Sequence, residues 1–307
     1  MQLASTILMI RPKHFGYNAE TAADNVFQSK VETGIDETAQ KAQSEFDAMM
    51  QVLKENAIDT VIVEDTDDPV KPDAVFCNNW ICTMPDGSMY TFPLKAENRR
   101  LEIRQDIVDN LQNDFFVKRF EDLSEKAGHN IYLESTGSIC FDHINKIAYA
   151  CISQRTNESF LKEFCAKINY KPFCFAASVK DGKEIYHTNV MMHIGETYAV
   201  VCLEALEEVK QQIELSNLLR KTGHDIISIS YQQMNSFAGN MLQIKNKNDK
   251  KITLLSKTAF DSLRSEQKYI FNRHTHLLPV DISLIEKAGG GSVRCMITEI
   301  FLKKKDE

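Results

Sequence analysis

The chain has 307 residues, 43% hydrophobic and 26% charged, a globular composition that excludes a disordered tail. Its net charge of −7 leaves no basic footprint for a phosphate backbone, and no stretch approaches the roughly 18 consecutive apolar residues of a membrane span, so neither nucleic acid nor a membrane is expected as a partner. The Met1–Arg11 start lacks the basic region of a signal peptide, and eight cysteines without regular close spacing read as reduced thiols, which together predict a cytoplasmic protein.

In chain order, Leu8-Met-Ile10 predicts a strand closed by Arg11-Pro12. Thr21 to Glu55 reads as helix, with Phe46, Met49, Met50 and Leu53 at helical spacing, and Thr60-Val-Ile-Val-Glu64 as the next strand. The chain then repeats itself. Asn79–Met84 runs through Pro85-Asp-Gly87 into Ser88–Phe92, Glu134–Cys140 through Asp142–Asn145 into Ile147–Ile152, Asn189–Ile194 into Tyr198–Leu203, and Asn240–Ile244 into Ile252–Leu255. Each hairpin is followed by a polar helical stretch. A fifth unit opens at Cys295 and stops at Leu302, and the entry residues Asn79, Glu134, Asn189, Asn240 and Cys295 are separated by 55, 55, 51 and 55 positions. A half-unit leaves an open sheet edge, which the N-terminal strand and helix can close. The expectation is one domain, 1–307, with five modules around an axis and their entry residues at one end; the alternative is five unrelated hairpins in a large α/β fold.

Three entry regions carry chemistry. Cys295 follows Gly289-Gly-Gly-Ser-Val-Arg294, where glycines permit close backbone approach or positive φ and Arg294 favours a thiolate. Alone, the same pattern fits a mobile turn and an inert thiol. Cys151 and Cys202 lie in apolar runs and read as core, and Cys77 and Cys82 lack the second pair of a zinc site, so no metal is expected. His187 opens the third hairpin, where an imidazole can shuttle protons; His14, His129, His224, His274 and His276 read as structural. Glu134 sits among apolar residues and needs a partner if buried, or else faces solvent. Were the repeat real, thiol, imidazole and carboxylate would arrive at the same axial end.

These residues resemble the guanidino-group modifying enzymes of the pentein fold, which include arginine deiminases, dimethylarginine dimethylaminohydrolases and amidinotransferases. Gly289–Met296 resembles the Gly-rich loop ending in Arg-Cys-Met, and Tyr186-His-Thr-Asn189 the His-x-Asp entry. Leu133–Gly137 is similar to the Glu-Gly-Gly segment, Ser153-Gln-Arg-Thr156 to the Ser-x-Arg-Thr behind it, and Pro72–Trp80, with Phe76, to Pro-Asn-x-x-Phe-x-x-Asp. The likeness covers nearly the whole chain and extends to the arginine-deiminase-related citrulline-utilisation hydrolases. It implies a five-bladed α/β propeller of ββαβ modules with pseudo-fivefold symmetry. It further implies Cys295 as nucleophile, His187 as general acid/base and Glu134 as the carboxylate beside it, with no metal or organic cofactor.

Asn79 and Asn189 stand where the family has aspartates that grip a cationic guanidinium. Charge-assisted hydrogen bonds contribute about 1.5–3 kcal/mol each, so two amides favour a neutral ureido group, which offers the matching donor and acceptor. The expected substrate is a small amino acid, most simply citrulline, cleaved at the ureido carbon to ornithine and a carbamoyl-enzyme. Asn240 is expected to serve strand-end backbone groups. For the α-carboxylate, Arg155 is the first candidate and Arg99 or Arg100 the second, with Arg11 and Asn18 at the mouth and Arg294 and Phe76 completing the binding set. The alternatives are arginine deiminase or amidinotransferase action on a guanidinium, and a non-catalytic pentein-fold binding protein, which has no need of thiol, histidine and glutamate together. A homo-oligomer is compatible with the chain.

Overall fold

Apolar residues at helical spacing (Ala42, Phe46, Met49 and Leu53) bury one face of a long helix, Ile35–Glu55, in the computed structural model, which describes residues 1–305. The helix crosses between two parallel strands, Thr6–Arg11 and Asp59–Glu64, and such a connection needs a dozen or more residues. Thr298–Ile300, from the far end of the chain, pairs antiparallel with Thr6–Arg11 and completes a three-stranded sheet.

Four further sheets repeat this pattern: an antiparallel hairpin, a helical crossover, and a third strand parallel to the second. They are Ile81–Thr83, Ser88–Thr91 and Arg119–Asp122; Cys140–Asp142, Ile147–Cys151 and Lys171–Phe175; Met192–Ile194, Tyr198–Val201 and Asp225–Ser228; Leu242–Lys245, Lys251–Ser256 and His276–Val280. The first strands stand around the axis: Thr83 Oγ1 donates to Glu299 O at 2.9 Å, and Cys140 Sγ to Met192 O at 3.2 Å. The sheets and crossovers form the five-bladed α/β propeller of the pentein fold. Local chemistry sets the crossover ends: Asn157 caps Glu158–Ile168 through Phe160 N, and Asn169 ends it in the left-handed region at φ 60°.

Two local expectations are corrected. Thr21 to Glu55 is not one helix: Thr21–Ala23 is an isolated 3-10 turn, residues 24–34 run irregularly, and helix starts only at Ile35. The irregular stretch is a strap, held because Asn25 Nδ2 donates to Gly289 O at 3.1 Å and Ser29 N to Lys287 O at 2.8 Å. The entry residues also precede their strands rather than opening them. Asn79 ends the turn Cys77–Asn79, Glu134 precedes Ser135–Ser138, Asn189 lies in Thr188–Met191, and Cys295 lies in Val293–Met296. A tight helical turn offsets successive side chains around its axis, where a strand sends every second one to the same face.

All eight cysteines are free thiols. No helix among the described residues is long and apolar enough to cross a membrane.

Candidate active site

The turns ahead of the strands bring their polar side chains to one buried cavity of about 20 Å³, whose lining includes Asn79, His187, Cys295, Arg99, Arg155 and Asp73. Cys295 is 4% exposed, and two amides face its sulphur: Asn240 Nδ2 at 3.2 Å and Asn189 Nδ2 at 3.5 Å. The Asn240 orientation is fixed from behind, because its Oδ1 accepts the Arg294 backbone N–H at 3.0 Å and a backbone N–H can only donate. Asn240 thus meets backbone groups, as the sequence suggested, and faces the thiol as well.

His187 Nε2 lies 2.8 Å from Glu134 Oε2, and the other carboxylate oxygen accepts Lys95 N–H at 2.9 Å. Burial, the largest influence on Glu134, pushes its carboxyl up; Arg155, His187 and Arg99 pull the other way and hold the group well below the usual carboxylate range. An ionised carboxylate only accepts, so Nε2 carries the proton and Nδ1 keeps the lone pair of a neutral imidazole. Burial pushes the His187 pKa down, against the pull of Glu134.

Glycines make this proximity possible. A Cβ on Gly137 would stand 2.4 Å from Asn79 Nδ2 and 2.9 Å from His187 Nδ1, and one on Gly289 2.6 Å from the Phe76 ring. Gly290 has φ 65°, a conformation that favours glycine, and meets the strap at Asn25 and Gln28.

The candidate arginines separate. Arg155 lines the cavity 3.6 Å from Glu134, lies over the Tyr186 ring at 4.6 Å, and is ion-paired with Asp24 of the strap. Arg99 also lines it, whereas Arg100 turns to the carbonyls of Leu94 and Lys95, both at 3.1 Å, and does not reach the cavity. Arg294 likewise points away, to Ile297 O and Glu299, each at 2.8 Å; its backbone N–H holds Asn240, and its side chain acts on the site through its charge alone. Arg11 pairs with Asp47 and Glu64 on the surface, so it is absent from the mouth. Asn18 lies beneath the cavity wall, donating to Asp73 Oδ2 at 2.8 Å. Phe76 lines the cavity under Gly289 and Gly291.

Sequence reasoning passed over Asp73, Thr21 of the 3-10 turn, and the strap residues Asp24 and Asn25. Asp73 is buried, and its Oδ1 has no hydrogen-bond partner although the residue lines the cavity. The signal was present: a carboxylate inside Pro72-Asp-Ala-Val-Phe76 needs a reason to be there.

The assembly can present sulphur to a trigonal carbon, take up the thiol proton on Nδ1 and return a proton to a departing nitrogen. Burial pushes the Cys295 thiol up, against the donors of Asn240, Ser292 and Asn189 and the charge of Arg294. A raised thiol pKa means little thiolate at neutral pH. Alkylation of Cys295 by chloroacetamide is therefore expected to accelerate from pH 7 to beyond pH 9, followed by mass spectrometry of the labelled peptide; a plateau already reached near pH 6 would contradict a neutral resting thiol.

The family model described as N,N dimethylarginine dimethylhydrolase, eukaryotic, matches residues 11–302. No curated protein matches the chain in sequence. Among solved structures, the N-terminal domain of ArgZ with a covalently bound reaction intermediate superposes with TM-score 0.73 and 14% identity over 95% of this chain and 96% of that one. The same domain bound to product, described as an arginine dihydrolase from the ornithine–ammonia cycle in cyanobacteria, gives TM-score 0.72 at 14% identity with the same coverage. A dimethylarginine dimethylaminohydrolase adduct with 4-chloro-2-hydroxymethylpyridine gives 0.67 at 16%, covering 97% of this chain and 100% of that one. At these identities the structural likeness is one of fold.

Proposed function

The chain belongs to the N,N dimethylarginine dimethylhydrolase family and is a cysteine-dependent C–N hydrolase of the guanidino-group modifying superfamily, and from that premise we propose that it hydrolyses the ureido group of a small amino acid, most simply citrulline. Cys295 is the nucleophile, His187 the general acid/base, and Glu134 the carboxylate that sets the imidazole tautomer. The observation that carries the ureido reading is that the side chains hydrogen-bonded to the thiol are neutral. Its side-chain hydrogen-bond partners are the amides of Asn189 and Asn240, and Asn79 lines the cavity beside Cys295. A guanidinium keeps its full charge and needs carboxylates to replace its water.

The charged side chains of the cavity suit an amino-acid head group. Arg155 offers a forked donor to a carboxylate, and the unpartnered Asp73 Oδ1 is an acceptor for an ammonium. A cavity of 20 Å³ holds about one water, so on this reading it must widen for substrate, with the turn Thr21–Ala23 and the start of the strap giving way and Asp24 yielding Arg155 to the incoming carboxylate.

In the reaction, sulphur attacks the ureido carbon, His187 protonates the departing amine, and a water activated by His187 then releases the carbamoyl group as carbamate, which decomposes to carbon dioxide and ammonia. The deciding experiment offers citrulline, arginine and N,N-dimethylarginine separately and identifies the products. The expected result is ornithine, ammonia and carbon dioxide from citrulline, with kcat/KM for arginine at least 100-fold lower. Brisk conversion of arginine to citrulline, with citrulline inert, would overturn the ureido assignment.

A further inference from the structure

We propose that Arg99 is a specificity-determining positioning residue: it takes the amide oxygen of Asn79 and so turns the Asn79 NH2 group toward the reacting carbon, as a donor to the ureido oxygen and to the oxyanion formed from it. This inference rests on the ureido reading above. A guanidinium has five donors and no acceptor, so the Asn79 atom that faces Arg99 Nη1 at 2.8 Å is the oxygen. Arg99 cannot swing away. Its Nε and Nη2 each meet Glu102 at 2.8 Å in a bidentate pair, Nη2 also reaches Phe76 O at 3.2 Å, and both side chains are buried.

The consequence falls on Asn79 Nδ2. It is buried and has no hydrogen-bond partner, although it belongs to a residue that lines the cavity. A buried donor left unpaired is costly, and a fixed donor beside a nucleophile repays that cost when negative charge develops in front of it. The point where a Gly137 Cβ would stand is 2.4 Å from Nδ2 and 2.9 Å from His187 Nδ1, so donor and base lie side by side over Gly137, and both residues line the cavity.

This arrangement discriminates by hydrogen-bond polarity. A ureido group carries one oxygen acceptor, which matches the Asn79 N–H. A guanidinium carries only N–H groups, so donor would face donor. As sulphur attacks, the carbonyl π pair moves onto oxygen and the Asn79 bond tightens. Collapse restores the carbonyl, breaks the C–N bond and sends the nitrogen off with the proton held by His187.

Asn79→Asp tests the lock. Aspartate still accepts from Arg99 but offers the cavity only an acceptor. The kcat for citrulline is expected to fall roughly 10²–10³-fold, the loss typical of one oxyanion donor, and the citrulline-to-arginine ratio of kcat/KM should fall at least as far. Asn79→Ser, which removes the amide without adding charge, should lose citrulline turnover without gaining on arginine. Arg99→Lys, which leaves the amide free to rotate, should lower the same ratio with Asn79 in place. Wild-type turnover of citrulline with ratios unchanged within threefold in folded variants, judged by melting temperature, would overturn the lock and leave the ureido reading standing. A wild type inert to citrulline would overturn both.

Discussion

Cys295→Ala is expected to lose hydrolysis by about 10⁴-fold or more while still binding the amino-acid substrate, because nothing else in the cavity can take the place of the sulphur. The neighbouring hydroxyl, Thr21 Oγ1, is occupied by Asp73 Oδ2 at 3.2 Å and Gln28 at 3.0 Å. Neither Cys77 nor Cys140 lines the cavity, and each donates to a backbone carbonyl while burial pushes its thiol up, to about 11 and about 12 respectively. Acid-quenched wild-type protein should carry a substrate-derived mass on the peptide containing Cys295, and the variant none. Calorimetric binding of citrulline to the alanine variant separates lost chemistry from lost recognition. Residual turnover within tenfold of wild type would remove Cys295 from the reaction.

Much of the architecture was legible because it is written in short-range pattern. Alternation marks the hairpins, and the spacing of Asn79, Glu134, Asn189, Asn240 and Cys295 marks the repeat. The strap was not legible. Polar residues such as Asp24 and Asn25 fit a helix as readily as a loop, and what holds them, Arg155 and the Gly289 carbonyl, lies far along the chain. Arg99 and Arg100 show the same limit at single-residue scale. Both sit in the 3-10 turn Asn98–Glu102, where one step rotates a side chain by about 120°, so Arg99 enters the cavity while its neighbour meets backbone carbonyls outside it.

Asn240 illustrates the converse. Its residue type suggested a strand-end cap, and it does donate to Asn189 O at 3.1 Å. The same Nδ2 also faces the sulphur, a role visible only once the fourth and fifth modules stand side by side. Neutral donors around a thiol temper the pKa rise that burial causes without adding charge to the substrate side, which agrees with an uncharged reacting group.

Glu134→Gln is expected to lower kcat by about 10³–10⁴-fold, the scale seen when a carboxylate that holds a catalytic imidazole is neutralised. Both Glu134 oxygens accept, one from Lys95 N and one from His187 Nε2, with Arg155 close by. Glutamine has a single oxygen, so its NH2 must confront one of those donors. The imidazole then loses the partner that keeps the proton on Nε2, and Nδ1, the nitrogen needed as base, spends part of its time protonated. The pH dependence carries the sign. Glu134 pulls the His187 pKa up, against the downward push of burial, so removing the charge should move the acid limb of kcat/KM to lower pH even as the plateau drops. A merely structural loss would lower the plateau without that displacement. A variant that keeps kcat within tenfold, with the acid limb unmoved, would show that the carboxylate does not govern the imidazole.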